Sequence, residues 1–435
     1  MFPTDVRRLP MDHHRQLLAD NDPEIAAAIG GEEARQRDGI ELIPSENYTY
    51  PEVLAALGTV LTNKYAEGYP GRRYYGGQQF TDRIEDIARE RAQALFRAEH
   101  ANVQPLSGSA MNQAAYLACL QPGDTVLAMD LSHGGHLTHG APVSHMGRLF
   151  NFVRYKTRHN QQGAIDYDAL MATALEVRPK LVLCGFSSYP RELDYAAFRR
   201  IADAVGALAM ADIAHIGGLV AAGALRNPLD DGFDIVTTTV HKSLRGPRAG
   251  LLLCRSAQAK AIDASVFPGL QGGPHMHTIA ATAVALRKAA EPAFRDYARQ
   301  VLANAQALAT ALLAQGVSLI TGGTDNHLLV LHTIDSFGLD GRRAEEALDR
   351  IGIAANKQVV PDDPRPPLRP SGLRIGTPAA TTRGMGEAEM HRIAGWMVDA
   401  MRHPDDAARL SRLADEVRTF CRQFPLPGVT DARAA

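Results

Sequence analysis

Apolar residues recur at helical spacing over 83–96 (Ile84, Ile87, Leu95), over 110–120, and over 195–205 (Phe198, Ile201, Val205), where Gly206 supplies a stop. Short, continuously apolar runs lie between them at 125–129, 181–186, 207–212 and 234–240. Strands with no polar face must be buried on both sides. The alternation therefore predicts an α/β fold with a mostly parallel central sheet under helices. Upstream, residues 1–60 read as an arm with a helix near 22–37, followed by the irregular string ELIPSENYTYP. After about residue 295 the pattern changes. A long helix (297–315) leads to strands at 317–321 and 327–332 and a helix at 341–351; a loop with five prolines, the strand in LRIGTP and a closing helix near 386–402 follow. Three parts are expected: an N-terminal arm over 1–60, a large domain over 61–295 and a smaller α+β domain over 296–435. No internal repeat is visible, and the last ten or so residues are expected to be loose.

Composition narrows the classes. The 435 residues are 45% apolar and 22% charged, which is globular rather than disordered. A net charge of −2 gives no field that would draw nucleic acid or an anionic membrane. Four cysteines without a CxxC pair argue against a disulfide or zinc scaffold and for a reducing compartment. The start, MFPTDVRRLPMDHHRQLLAD, lacks the apolar core of a signal peptide. The most membrane-like stretch, 206–225, carries Asp212, His215 and several glycines, and reads as a buried strand with its loop. A cytoplasmic protein is expected. Only seven of the 46 basic residues are lysine, so a lysine in an apolar context invites a chemical question.

Ligands of open α/β sheets sit beyond the carboxyl ends of the strands, and two predicted strands end in polar groups. ALAMAD ends in Asp212; DIVTTTVHK ends in His241 and Lys242, trailed by Arg245 and Arg248. Burial and nearby cations lower an amine's pKa, as a Schiff-base lysine requires. A carboxylate facing a pyridine nitrogen, with a lysine on the aldehyde, is the arrangement pyridoxal phosphate needs. Ser107-Gly108-Ser109 opens a helix and offers hydroxyls and free amides to a phosphate, although serine is also simply a good cap. Neither GxGxxG nor GxxxxGK[ST] occurs. His133, His136 and His139 are spaced by three, but Gly134 and Gly135 break any helix that would align them on a metal, so no metal is expected; stacking on a cofactor ring is the alternative. Arg374, in SGLRIGTP, suits bidentate capture of a carboxylate, and YAEGYPGRRYYGG reads as a close-packing loop with one acid, Glu67.

Together, ELIPSENY, LTNKYAEGYPGRRYYGG, NVQPLSGSAMN, HGGHLTHG, DIAHIGGLVAAG, TTTVHKSLRGPRAG, FPGLQGGP, GGTDNH and SGLRIGTPA stand in the order of the serine hydroxymethyltransferase family, which the chain resembles over about 22–402. The resemblance implies the aspartate-aminotransferase-like (fold type I) architecture, pyridoxal 5'-phosphate as cofactor, tetrahydrofolate as co-substrate, and a homodimer or tetramer with active sites shared between subunits. It implies that Lys242 binds the cofactor covalently, that Asp212 pairs with its pyridinium, that His136 stacks on its ring, and that His215 and Ser187 contact it. Gly108 and Ser109 would hold the phosphate, with Gly272 and Gly273 from a second subunit. His241 would neighbour the ring oxygen, while Thr239 and Arg248 shape the pocket. Arg374 and Ser45 would bind the substrate carboxylate with Tyr75 of the other chain, which would also bring Glu67, for proton transfer, and Tyr65. Leu131, Gly135 and Leu137 would face the pteridine. The implied reaction moves the hydroxymethyl group of serine to tetrahydrofolate, leaving glycine.

Four positions depart from that pattern: Leu106 for a histidine, Val240 for a threonine, Gln358 for an asparagine that reaches the pteridine, and Pro370 for a threonine. Lineage drift is one reading. An altered pocket is the other, either an α-methylserine/D-alanine hydroxymethyltransferase or a folate-independent aldolase.

Overall fold

The computed structural model describes residues 11–158 and 163–428, with backbone only at 11–14. Of the tail expected to be loose, 429–435 lies outside the described residues. The central sheet has seven strands: β1 (His100–Asn102), β2 (Thr125–Met129), β3 (Asn151–Tyr155), β4 (Leu181–Gly185), β5 (Leu208–Asp212), β6 (Ile235–Thr239) and β7 (Gly250–Cys254). Their spatial order is β1-β7-β6-β5-β4-β2-β3, and only β7 runs against the rest. This is the mostly parallel α/β sheet expected from the alternation of apolar runs and helices.

Both faces are apolar because the strands feed two cores at once. Leu127, Met129, Val182, Cys184, Ala209 and Ala211 join one cluster; Val126, Ala128, Leu181, Leu183 and Met210 join the other. A period-2 backbone between two cores reads in sequence as an uninterrupted apolar run. The helices Tyr195–Val205 and Gly108–Cys119 cover these faces, and Gly206 ends the former with φ +68°.

A second sheet is antiparallel, in the order β8-β10-β9: β8 (Leu328–His332), β9 (Asn356–Gln358) and β10 (Gly372–Gly376). The strand expected at 317–321 does not form; a single bridge joins Leu319 to Leu331. Val317 and Leu319 are buried as the pattern required. However, the Ser318 amide goes to the Ser336 hydroxyl, and Thr321 turns away to give its carbonyl to Arg191. The helix Glu387–Arg402 does not close the chain. A further helix, Ala407–Cys421, packs Leu410, Leu413, Val417 and Phe420 into the second core.

The arm is tied into that second core. Ile40 and Leu42 are buried in it, and Ile40–Glu41 pairs in parallel with Ile353–Ala354. Gly376 donates its amide to the Leu42 carbonyl at 2.7 Å. The buried Arg383 guanidinium donates to the carbonyls of Gln36, Arg37, Gly39, Cys421 and Phe424. Residues 45–47 are thereby held against the end of β6, where the Asn47 amide meets the Lys242 carbonyl at 3.1 Å.

Candidate active site

A cavity of about 400 Å³ opens at the carboxyl ends of the parallel strands. Eleven residues singled out from sequence line it: Ser45, Gly108, Ser109, His136, Ser187, His215, Thr239, His241, Lys242, Arg248 and Arg374. The linkers that follow β1, β2, β4, β5 and β6, with β10 and the arm, supply them, so residues hundreds of positions apart meet in one place.

At one wall, Ser107 caps the helix Gly108–Cys119, its hydroxyl accepting from the Ala110 amide at 3.3 Å. The remaining first-turn amides and the positive helix end make an anion cradle. A Cβ on Gly108 would sit 2.9 Å from Thr239 Cγ2, so the cradle packs this closely only with glycine. At the opposite wall the Lys242 amine is pushed down to about 8, mainly by burial and further by Arg374 and Arg248, against the pull of Asp212. Burial and the Lys242 charge also hold His241 low, at about 3, and His241 Nδ1 is a buried nitrogen without a partner.

Asp212, at the end of β5, is buried under the cavity. Its Oδ2 accepts from Asn112 Nδ2 (2.7 Å) and His139 Nε2 (3.0 Å), and its Oδ1 from the Ala214 amide (3.0 Å). Burial alone would raise this carboxyl; the hydrogen bonds from His139 and Asn112 outweigh it and hold the group well below the carboxylate range. His139 Nδ1 accepts from the His136 amide (3.1 Å), which assigns the proton of a neutral ring to Nε2, the atom facing Asp212. Asn112 is locked in turn by Thr237, whose hydroxyl donates to Oδ1 at 2.8 Å. Gly185 lets β4 approach this point, since a Cβ there would collide with the Asp212 carbonyl oxygen.

Arg374, on β10, closes one side. Its Nε donates to Asn356 Oδ1 (3.0 Å) and one terminal nitrogen to the Ser187 carbonyl (2.7 Å), which holds the guanidinium plane at the cavity. No carboxylate pairs with it among the described residues, and burial lowers it to about 10. An uncompensated buried guanidinium is a receptor for a carboxylate.

Other predicted residues are elsewhere. Tyr65, Glu67, Tyr75, Gly272 and Gly273 do not line the cavity but cluster with one another. A Cβ on Gly272 would lie 3.2 Å from Glu67 Oε1, and one on Gly273 3.0 Å from Tyr65 Cζ; the Tyr65 and Tyr75 ring centroids are 5.0 Å apart. Both tyrosines are about half exposed. Leu131, Gly135 and Leu137 sit on the loop after β2, with both leucines exposed, and Gln358 ends the edge strand β9, its amide donating to the Val359 carbonyl.

The histidine run divides. His133 bonds to Thr157 and Asp362, while His136, His139 and Asp212 have ligand-type atoms within 4.8 Å of one another. The hydrogen bonds just described engage His139 and Asp212 without an ion. Sequence reasoning gave no role to Asn112, Asn356, Glu46 and His327, and read His139 only within the histidine run. Asn112 lies inside a quoted motif, but its partner and that of Asn356 are 100 and 18 residues away and only the fold joins them.

Val240 is fully buried and packs on Gly246, facing the core rather than the cavity. Leu106, Gln358 and Pro370 do not line the cavity either.

Fold and site together define an enzyme of the aspartate-aminotransferase-like class. The family model for serine hydroxymethyltransferase matches residues 18–397. The chain is 54% identical to a serine hydroxymethyltransferase of Acidobacterium capsulatum over 411 residues, covering 94% of this chain and 96% of that one. It is 54% identical to that of Sorangium cellulosum over 414 residues (95% and 97%) and 51% identical to that of Xanthomonas axonopodis pv. citri over 433 (98% and 100%). The chain belongs to the serine hydroxymethyltransferase family.

Proposed function

We propose that the protein uses pyridoxal 5'-phosphate to transfer the hydroxymethyl group of serine to tetrahydrofolate, giving glycine and 5,10-methylenetetrahydrofolate. The reading rests on one juxtaposition: an amine of depressed pKa (Lys242), a buried carboxylate kept ionised (Asp212) and a helix-end anion cradle (Ser107–Ser109) around a single cavity. The donor set, an amine, a carboxylate and an anion cradle around one cavity, fits the cofactor. When bound, the cofactor supplies an electron sink for the pair released as Cα–Cβ breaks. Lys242 would hold its aldehyde, Asp212 its ring nitrogen, and Gly108 and Ser109 its phosphate, with His136, Ser187 and His215 around the ring. Arg374 and Ser45 fix the substrate carboxylate, which sets the angle of the Cα–Cβ bond.

Tyr65, Glu67, Tyr75, Gly272 and Gly273 serve the cavity of a second copy, with Glu67 moving the proton on the hydroxymethyl oxygen. Their outward clustering supports that reading of a homodimer with shared sites. Leu131, Gly135, Leu137 and Gln358 form the folate side. The large domain spans about 61–295 and the small one 296–435. Among the described residues no helix is long and apolar enough to cross a membrane, and a cytoplasmic location agrees with the cysteine content. Nothing in the geometry favours the α-methylserine or aldolase alternatives, since none of the four departures lines the cavity.

The test is release of the one-carbon unit from L-serine by purified enzyme with and without tetrahydrofolate. Folate-dependent release is expected. Absence of serine turnover by cofactor-loaded enzyme overturns the reading, and full-rate cleavage without folate transfers it to the aldolase.

A further inference from the structure

A cavity larger than the lysine cavity lies elsewhere among the described residues. It measures about 720 Å³ and shares no lining residue with the first. Arg97 and its partner Asp230 stand just upstream of β1 and β6, so this cavity lies toward the amino-terminal edge of the sheet, away from the Lys242 end. Four guanidinium groups line it, Arg91, Arg97, Arg287 and Arg295, over a floor of Leu95, Leu286 and several alanines. No acidic residue lines it.

The charges are unevenly compensated. Arg97 is paired with Asp230 at 2.5 Å. Arg91 reaches only the Ala283 carbonyl, at 2.6 Å, and Arg287 and Arg295 make no ion pair or side-chain hydrogen bond among the described residues. Of the nearby acids, Glu90 pairs with Arg83 at 3.8 Å and Asp296 with Arg299, while Glu291 is the N-cap residue of the helix Pro292–Ala314 next to the cavity without lining it. Burial and the adjacent Arg287 lower Arg91 below its ordinary value, as expected for a cation facing another cation. Service to helix ends accounts for part of this. Arg287 occupies the last turn of the helix Met276–Ala289, where a cation meets the carbonyl end. Arg295 is in the first turn of Pro292–Ala314, where a cation opposes the dipole, so helix stability does not account for it.

We propose that this cavity is a second ligand site, for a small organic dianion whose phosphate or paired carboxylates are gripped by Arg287, Arg295 and Arg91 while its body rests on the alanine–leucine floor. The volume is that of a small-molecule site, and the planar forks suit oxyanions of either chemistry.

The test is isothermal titration of full-length, cofactor-loaded enzyme with pyrophosphate and, separately, with citrate. One saturating site per chain is expected, weakening as sodium chloride is raised because the guanidiniums are near solvent. The double variant Arg287→Gln/Arg295→Gln should lose about ten-fold or more in affinity. Ala94→Glu, which introduces a carboxylate at an exposed lining position, should do the same without removing an arginine. Serine turnover should be unchanged in both variants, which certifies their folding. Tighter pyrophosphate marks a phosphate ester as the ligand, and tighter citrate a polycarboxylate. No saturable binding by wild type, or equal binding by wild type and Ala94→Glu, overturns the proposal.

Discussion

Two groups of candidate residues in this chain are built in opposite ways. Around Lys242, the buried charges are braced: Asp212 accepts three hydrogen bonds, Arg374 is held by Asn356 and the Ser187 carbonyl, and both are walled by strands and the arm. Around Glu67, Tyr65 and Tyr75 are half exposed, Tyr74 is more so, and none of the cluster lines the chain's own cavity. Preorganised charges in a closed site are what chemistry requires, and exposed aromatic residues are what an interface requires. The contrast is the one the proposed function calls for, in which the chain completes the cofactor side of a site by itself and a second copy supplies the proton-transfer side.

The sharpest way to break this comparison is at the braced end. Lys242→Ala should lower turnover by at least about 10³-fold and remove the absorbance of the covalently held cofactor; an unchanged spectrum would sink the assignment. Glu67→Gln should cost about 10²–10⁴-fold in turnover with cofactor absorbance retained. Unfolding and refolding equal amounts of these two inactive variants together should recover about a quarter of wild-type activity, because half the dimers are mixed and each of those carries one intact site. Failure to recover any would show that the sites are not shared.

A smaller effect is expected one layer out. Asn112→Ala removes one of the three donors to Asp212, and a hydrogen bond to a charged group contributes about 1.5–3 kcal/mol. Turnover should fall about 10–100-fold and the cofactor's ring-protonation spectrum should shift; wild-type behaviour in both would return Asn112 to a purely structural role. The smallest effect concerns Glu41, on the arm that carries Ser45. Burial, then the charge of Glu46, pushes its carboxyl up to about 8. The folded chain then holds a proton that the unfolded chain releases above about 4.5, so this group's contribution to stability falls as pH rises from 4.5 to 8. Glu41→Gln removes that loss. Urea denaturation at pH 5 and pH 8.5 should show the variant gaining on wild type, by on the order of 1–3 kcal/mol, at the higher pH. Parallel profiles for the two chains would dismiss the raised carboxyl.

Much of this was legible in order along the chain. Uninterrupted apolar runs located β2, β4, β5 and β8, and a β-branched run located β6, because a strand between two cores has no charged face to confuse with a helix. Lys242 was conspicuous as one of seven lysines, set among β-branched residues at a strand end. The family resemblance gave roles to eleven of the residues that line the cavity. The apolar spacing at 317–321 was read correctly as buried, but its pairing stops at one bridge rather than a strand, because burial depends on side chains whereas a ladder depends on where each amide finds its acceptor. Ser318 found Ser336.

What tertiary structure alone decided is which side chains share a hydrogen bond across long separations. The proton on His139 Nε2, the lock of Thr237 on Asn112, the grip of Asn356 on Arg374 and the separation of Glu67 from the chain's own lysine all depend on angles and distances within a few tenths of an ångström. Periodicity carries the burial of an element. It does not carry the direction of a donor, and that direction is set by the packing of every element around it.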